Sequence, residues 1–549
     1  MKMLRAAVLN ILLIALPVTG KPYLNALLES ISADSMRKHV CFLGDDSLQG
    51  RGTGTFGEAL AADYVAAKFD SFGLEAIGDN QTYFQRVPMH GSKPLPGSRL
   101  VSINNGDSIE YELKRDYLLY QSGAQTYIPM PVPVVFVGYG IIAPEFDYND
   151  YQALDVSGKI VVFLSGEPHS EDAAYFNGTH PTIYAYPEAK QRIAISRGAK
   201  GSIMIPAPRE ECGRNWKYWV NTFAFEDVTL AYAVTANLSM VMNPNAAKKL
   251  FIDAPFSLAD VFRMDANNTI RSFPLNVQMS FRGKFFQHDF YSANVIGKLG
   301  GRFRESNESF IIISAHYDHL GVGAAVKGDS IYNGVFDNAV GVAAMLEIAR
   351  SYARLAERPR RSIIFLATTG EEKGLLGAEY YVDHPVVPLH KTLANINVDG
   401  LSMFDRFKDV VGVGSEYSTL GKLLVDVTGR LDIDVSAIPG QFLATESYAR
   451  SDQIAFAKAG IPSILIAEGL RYENSSPEAA LSRIIDWQTR IYHSPFDDLN
   501  QPMDFEAARQ HCQIICAFCY ELANSNFHPE WNPGTPFINE RLRSIAERR

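Results

Sequence analysis

The sequence predicts an α/β protein, a three-layer α/β/α domain with a mixed sheet that is interrupted by a small β-rich domain. From residue 292 onward, apolar runs of strand length alternate with helical segments, as at 310–315, 338–356 and 362–369. Before that region, short strands dominate and follow a Pro-rich boundary at 129–133. Polar residues stand where the later apolar runs stop. In open α/β sheets the carboxyl ends of strands are where ligands bind, so these positions are candidates for a site.

The order of domains follows from these patterns. Residues 21–130 are predicted to form the N-terminal part of the main domain, 131–285 the β-rich insert, 286–525 the rest of the main domain and 526–549 a polar C-terminal tail. The insert interrupts the main domain because strands that end on polar residues appear only after it. Further elements of the main domain are predicted at 292–298, 375–381, 393–398, 409–412, 417–427, 452–458, 462–467 and 505–523.

Composition narrows the class of protein. The chain has 549 residues, of which 47% are hydrophobic, so it can bury a large core. Its 51 Lys and Arg against 61 Asp and Glu give a net charge of −10. No basic stripe of the kind that a phosphate backbone requires is present, so nucleic acid is not an expected partner.

The first twenty residues have the pattern of a signal peptide. Lys2 and Arg5 are followed by an apolar run over 6–16 and then by the small residues of Val18-Thr19-Gly20. We therefore expect residues 1–20 to be removed on export to the periplasm or the extracellular space, with no stable membrane insertion afterwards. The alternative is an uncleaved N-terminal anchor, for which the apolar run is short.

Cysteine use excludes a disulfide scaffold, because the five cysteines are sparse and odd in number. Cys512, Cys516 and Cys519 recur at the spacing of one helix face, next to His511. Packing as small apolar residues is favoured there over a zinc cluster.

Metal-ligand residues recur at the ends of the predicted strands. They are His316 after the first run, Glu371 and Glu372 after the second, Asp399 after a third, Asp337 at the start of a helix, and His493 near the C-terminus. Two imidazoles with several carboxylates suit a pair of divalent ions of the zinc type. Asp337, on a loop, can bridge the two ions. Glu371 and Glu372 are neighbours, so one can bind an ion while the other stays free as a base.

Two further polar residues follow His316. Asp318 stands two positions later, on the same face of an extended strand, and is predicted to accept the second ring N–H of His316. His319 points elsewhere, and the sequence leaves open whether it supports the site from behind or is exposed to solvent.

The motifs His316-x-Asp318, Asp337-Asn338, Glu371-Glu372, Asp399 and His493 occur in the order found in a known family. The chain resembles the co-catalytic di-zinc aminopeptidases, the clan of secreted bacterial aminopeptidases, glutamate carboxypeptidase and transferrin receptor. Residues 131–285 are similar to a protease-associated domain, notably at 138–140 and 155–162. The resemblance extends upstream to residues 49–54.

This resemblance implies a ligand set and a mechanism. It implies two zinc ions per chain, one held by His316, Asp337 and Asp399 and the other by Asp337, Glu372 and His493. Glu371 would be the general base for a zinc-bridging hydroxide. Tyr448 matches a position whose phenol helps to hold the oxyanion; the alternative for Tyr448 is a packed core residue.

The expected function is that of an exported metallo-aminopeptidase that hydrolyses N-terminal residues of peptides. Two enzymatic alternatives are a carboxypeptidase of the glutamate-carboxypeptidase type, for which Arg450 is the one candidate carboxylate clamp, and a glutaminyl cyclase. A non-catalytic, receptor-like binding protein is the alternative from another class. The sequence does not determine the oligomeric state.

Overall fold

A computed structural model describes residues 21–119, 127–152, 154–172, 174–176, 178, 182–208, 216–234, 238–303, 308–439 and 448–548. The predicted signal peptide, residues 1–20, lies outside the described residues.

The strands and helices of the described residues are as follows. The strands are β1 (Glu75–Ala76), β2 (Phe84–Pro94), β3 (Arg99–Asn104), β4 (Asp107–Tyr111), β5 (Tyr117–Leu119), β6 (Tyr127–Phe136), β7 (Ile142–Ala143), β8 (Tyr148–Asn149), β9 (Ile160–Leu164), β10 (Gly201–Ile205), β11 (Asp227–Leu230), β12 (Leu238–Met242), β13 (Phe273–Arg282), β14 (Phe285–Leu299), β15 (Phe310–His316), β16 (Gly321–Val326), β17 (Asp329–Tyr332), β18 (Ser362–Thr368), β19 (Thr392–Asn397), β20 (Asp409–Val413), β21 (Asp434–Val435) and β22 (Ser463–Glu468). The helices are α1 (Lys21–Glu29), α2 (Ala33–Leu43), α3 (Phe56–Ser71), α4 (Pro187–Ser196), α5 (Trp216–Thr222), α6 (Pro244–Ala247), α7 (Leu258–Ala266), α8 (Val340–Ala353), α9 (Leu376–Asp383), α10 (Leu420–Thr428), α11 (Gln453–Lys458), α12 (Pro477–Arg490), α13 (Phe505–Asn524) and α14 (Ile538–Glu547).

The larger of the two main sheets has ten strands, in the order β11-β2-β14-β18-β15-β19-β22-β20-β21, with β1 beside β14. Its central strands β18, β15, β19 and β22 are parallel, whereas β14, β2 and β11 pair antiparallel. Buried β-branched runs such as Phe310–His316 suit parallel strands, whose two faces are both covered.

Helices cover both faces of this sheet. Ile311 and Ile313 of β15 pack into a core that contains residues of α3, α8 and α13. Ile312 packs on the other side, with Tyr381 of α9 and Phe456 of α11. Since successive side chains of a strand point to opposite faces, this alternation gives three layers. The predicted mixed-sheet α/β/α fold class is confirmed.

The second main sheet has eight strands, in the order β4-β3-β13-β6-β9-β10-β12-β5. Strands β6, β9, β10 and β12 are parallel, and a separate hydrophobic cluster packs on each face. This sheet is the observed counterpart of the predicted β-rich insert. Its similarity to a protease-associated domain stays a prediction.

Backbone pairing crosses the predicted domain boundaries in two places. Strands β3 to β5 precede residue 131 but belong to the eight-stranded sheet. Strand β11 lies inside the 131–285 segment but pairs with β2 in the ten-stranded sheet. Pairing between distant segments leaves no local pattern, so the sequence could not indicate either exchange. The boundaries themselves remain a prediction.

The segment predicted as a polar tail contains ordered structure. Helix α14 lies within it, and the indole of Trp531 is buried and donates to the carbonyl of Gly460 at 2.9 Å. On the preceding helix α13, the thiols of Cys512, Cys516 and Cys519 are fully buried, which agrees with packing as small apolar residues. Among the described residues, none of the helices combines the length and apolar character that a bilayer crossing requires.

Candidate metal centre

Three neighbouring parallel strands end at the candidate site. Strand β15 ends on His316 and lies between β18 and β19. Strand β18 leads through Gly370 into a short 3-10 turn, Glu371–Lys373, and β19 is followed by Asp399. Because the carboxyl ends of parallel strands share one edge of the sheet, these side chains converge.

The predicted ligands meet in pairs. His316 Nε2 lies 3.2 Å from Asp337 Oδ1 and 3.2 Å from Asp399 Oδ1. His493 Nε2 lies 3.2 Å from Asp337 Oδ2 and 3.1 Å from Glu372 Oε2. Asp337 thus turns one oxygen toward each group, the arrangement that a bridging ligand requires. The structure brings all five candidates together; their binding of ions is taken up as a proposal below.

The Asp337 loop is held by two neighbours. Asp497 accepts the backbone N–H of Phe336 at 2.9 Å and that of Asp337 at 3.0 Å. Asn338 accepts from Gly400 N at 2.9 Å and donates to Val398 O at 2.9 Å, next to Asp399. These bonds tie the Asp337 loop to the segments that carry His493 and Asp399. Sequence reasoning gave Asp497 no role, because nothing local marks an acceptor for N–H groups about 160 residues away.

Arg51 holds the loop after His316 and the loop before Asp337 through hydrogen bonds to their backbone carbonyls. Its guanidinium is buried and donates to the carbonyls of Tyr317 at 2.8 Å, Asn333 at 2.6 Å and Gly334 at 2.8 Å, and also to Leu43. Burial lowers the pKa of Arg51 to about 10, and it stays charged at neutral pH. The segment 49–54, which carried the upstream resemblance, therefore fixes the loops after His316 and before Asp337.

Asp318 makes different contacts from those predicted. His316 Nδ1 lies 3.2 Å from the backbone carbonyl of Asp318 but 3.8 Å from its carboxylate. The carboxylate instead accepts from the Thr53 hydroxyl at 3.0 Å and from the backbone N–H of Glu371 at 3.1 Å. In this structure Asp318 thus positions the turn that carries Glu371, while its main chain orients His316.

Glu371 lies beside one of the two groups. The donor atoms of Glu371, His316 and Asp399 all lie within 4.8 Å of one another. Burial, with the charges of Asp399 and Glu372, raises the pKa of Glu371 well above its ordinary value. A carboxyl in such surroundings can accept and hold a proton.

The charges of the cluster are unbalanced. Burial would lower the pKa of His316, but the carboxylates of Glu371 and Asp399 outweigh it and hold the pKa well above its usual range. Burial would likewise lower the pKa of His493, but the carboxylates of Glu372 and Asp337 hold it well above its usual range. Burial would raise the pKa of Asp337, but contacts with His316 and His493 hold it well below its usual range. The carboxylates therefore favour positive charge at the positions between them.

Tyr448 lies in different surroundings from those predicted. Its hydroxyl is 3.3 Å from the carbonyl of Ser463, and its ring packs in a cluster with Val411 and Trp531. These contacts are those of the packed core residue that the sequence left as the alternative. They give no support to a role in holding an oxyanion.

Sequence reasoning missed one aromatic ring, that of Tyr492, and left a second one, that of His319, undecided. Tyr492 stacks on His493, with ring centroids 3.8 Å apart and planes 22° apart. His319, left open by the sequence, is fully buried, and its donor atoms group with those of Asp337 and Glu372. A stacking partner next to His493 could have been suspected from its adjacency in the sequence. For His319 the sequence named a supporting position as one of two alternatives, and the structure buries the side chain.

Comparison with known proteins identifies the family. Residues 294–519, which include every ligand candidate, match the sequence pattern of peptidase family M28. This match places residues 294–519 of the chain in peptidase family M28. The expected metallo-peptidase class is confirmed at the level of this family.

Two curated relatives illustrate the range of the family. A vacuolar membrane protease of Yarrowia lipolytica is 32% identical over 132 residues, covering 24% of this chain and 12% of that protein. Leucine aminopeptidase 1 of Grosmannia clavigera is 27% identical over 254 residues, covering 44% of this chain and 56% of that protein. The chain thus matches about a tenth of the first relative's length and about half of the second's.

Among solved structures, the aminopeptidase from Aneurinibacillus sp. strain AM-1 is similar over 93% of this chain and 98% of its own, with a TM-score of 0.54 and 17% identity. At this identity the likeness shows a shared fold.

The predicted periplasmic or extracellular location is wrong by this comparison. The matched relatives from Yarrowia lipolytica, Sclerotinia sclerotiorum and Saccharomyces cerevisiae are all named for a vacuolar membrane. The reason for the error is that a short apolar run after basic residues indicates entry into a membrane pathway, and it carries no information about the final compartment.

Proposed function

We propose that this chain is a zinc-dependent exopeptidase that removes N-terminal residues from peptides. The observation that carries the proposal is the set of four imidazole–carboxylate contacts at 3.1–3.2 Å, centred on Asp337. Membership of a peptidase family supports the class of reaction.

The donor set suits two zinc ions. His316, Asp337 and Asp399 would hold one, and Asp337, Glu372 and His493 the other. Two donors that are each about 2.0–2.2 Å from one ion stand roughly 3.2 Å apart, as these pairs do. Bound zinc would polarise the scissile carbonyl and lower the pKa of a water molecule.

The residues of the chain supply the proton transfers. Glu371 takes a proton from the attacking water and returns it to the departing amine. Asp318 keeps Glu371 in place through the backbone N–H at 3.1 Å.

The family match and the resemblance stated from the sequence motifs support removal of N-terminal residues rather than C-terminal ones. The name of the Grosmannia clavigera relative agrees. One observation favours the carboxypeptidase alternative: the charge of Arg450 is close enough to affect the pKa of Tyr492, beside His493. The names of the other relatives support association with a vacuolar membrane as the location.

The test combines elemental analysis of the purified chain with hydrolysis of a matched substrate panel. The panel contains amino-acid arylamides, the same peptides with free and acetylated N-termini, and peptides that end in Glu. We expect zinc to be bound and chelator-sensitive cleavage to require the free amine. Cleavage only at free C-termini would establish the carboxypeptidase instead. Absence of both metal and turnover would overturn the proposal in favour of a binding protein.

A further inference from the structure

His319 occupies a fixed position behind the candidate ligands. Its side chain is fully buried, and its backbone N–H donates to the carbonyl of Arg51 at 3.1 Å. Gly334 lies against the ring in a left-handed conformation, with φ of +61°, and a Cβ there would stand 2.4 Å from His319 Cγ. Only glycine leaves room for the imidazole at this point. The loop before Asp337 is therefore shaped around His319.

One nitrogen of this ring meets Glu372. His319 Nδ1 lies 2.6 Å from Glu372 Oε1, while Glu372 Oε2 lies 3.1 Å from His493 Nε2. Within the described residues, His319 Nδ1 and Glu372 Oε1 are both buried and neither meets the full geometry of a hydrogen bond with any group, so their mutual approach is the close polar contact that each atom has. Buried polar atoms without a partner are costly, so the two atoms are matched to each other. The two oxygens of the Glu372 carboxylate thus face different histidines, Oε1 toward His319 and Oε2 toward His493.

The distances distinguish a supporting residue from a further ligand. Donor pairs on a common ion stand about 3.2 Å apart, as the His316, His493 and Asp337 contacts do. The separation of 2.6 Å between His319 and Glu372 is too short for that and lies at hydrogen-bonding distance. His319 Nδ1 also stands 3.9 Å from Asp337 Oδ2, farther than the other pairs.

We propose that His319 is a positioning residue of the metal centre, whose Nδ1–H donates to Glu372 Oε1 and so presents Oε2 to the ion shared with Asp337 and His493. The proposal rests on the function proposed above. It gives a role to a residue beyond the five ligands and the base.

The experiment compares His319→Ala with His319→Asn, in which an amide N–H can take the place of Nδ1–H. His39→Asn is the matched control, since His39 is a buried histidine that bonds Tyr64 away from the site. Zinc affinity is measured by competition with a chelator, and Co²⁺-loaded protein is followed by visible absorption. Thermal unfolding of the metal-free proteins checks that each variant folds.

We expect His319→Ala to lower the affinity for one of the two zinc ions by about 10–100-fold, the usual cost of losing a partner that orients a ligand. His319→Asn should recover most of the loss, and His39→Asn should bind both ions as the wild type does. If His319→Ala bound both ions with the affinities of the wild type, the proposal would be overturned. A Co²⁺ spectrum that loses a nitrogen ligand in both His319 variants would overturn it in favour of direct ligation. Absence of metal from the wild type would instead overturn the proposed function.

Discussion

Buried charges are held differently in the two sheets. In the eight-stranded sheet, Asp150 accepts the backbone N–H groups of Tyr139 and Ile141 at 3.0 Å and the Tyr148 hydroxyl at 2.8 Å. The ammonium group of the buried Lys190 donates to the backbone carbonyls of two residues, Leu164 and Gly166. In the ten-stranded sheet, the carboxylates of Asp337, Glu371, Glu372 and Asp399 instead crowd around two imidazoles.

This difference separates a structural use of buried charge from a functional one. Backbone N–H groups and a hydroxyl satisfy Asp150, backbone carbonyls accept from Lys190, and the positive charge of Lys190 also stabilises the Asp150 carboxylate. Carboxylates gathered in a buried cleft repel one another, and the arrangement is stable only when enough positive charge is present. A cluster that remains unbalanced within the protein alone is suited to bind cations, as we propose for this one.

The largest expected effect comes from Glu371→Gln. We expect turnover to fall by about 10²–10⁴-fold, because a general base contributes a factor of this size, while zinc content is retained. Asp150→Asn, an equally conservative change of a buried carboxyl in the other sheet, is the control and should leave turnover unchanged. Full activity of Glu371→Gln with both zinc ions bound would contradict the assignment of the base.

Replacement of the buried cations is the second way to test the comparison. Arg51→Met removes hydrogen bonds to four carbonyls, each worth about 1.5–3 kcal/mol for a charged donor, so we expect a loss of about 6 kcal/mol or more in the free energy of unfolding. Zinc affinity should fall as well, because those carbonyls belong to the loops that carry the ligands. Lys190→Met should reduce stability but leave zinc affinity unchanged. Equal zinc affinity in both variants, measured by chelator competition, would remove the distinction between the sheets.

A smaller effect is expected from pH. Burial raises the pKa of Asp150 from 3.8 to about 6, and its hydrogen bonds offset this only in part. A raised folded-state pKa means that the contribution to stability is fully present below the unfolded pKa and is lost as pH rises through the folded one. Relative to Asp150→Asn, the wild type should therefore lose about 3 kcal/mol between about pH 4 and pH 7. Urea unfolding with a chelator present measures this difference, and a constant difference across the range would refute it.

Local patterns were sufficient for part of this structure. Apolar, β-branched runs predicted β15 and β18, and the polar residues after them predicted which side chains converge. Parallel neighbours share an edge, so the position along the strand already determined the place in the fold.

The rest of the site depends on contacts between distant segments. Arg51 and Asp497 each bond backbone atoms of loops that the sequence places far away, and backbone atoms are the same in every residue. His319 contacts the side chain of Glu372, which is also distant in the sequence. No residue type announces such a contact. The exchange of β11 between the sheets has the same cause, since strand pairing is made by the main chain.

Strand β2 pairs with β11 on one side and with β14 on the other. Both partners follow β2 in the chain. Strand β14 begins only at Phe285, after every strand of the eight-stranded sheet. During synthesis, one edge of β2 therefore stays unpaired until β11 has been made, and the other until β14 has been made. Such non-local pairing slows folding and exposes strand edges to other chains. Pairing of β14 with β2 joins the N-terminal strands to the rest of the ten-stranded sheet, and every residue of the candidate centre follows β14 in the chain.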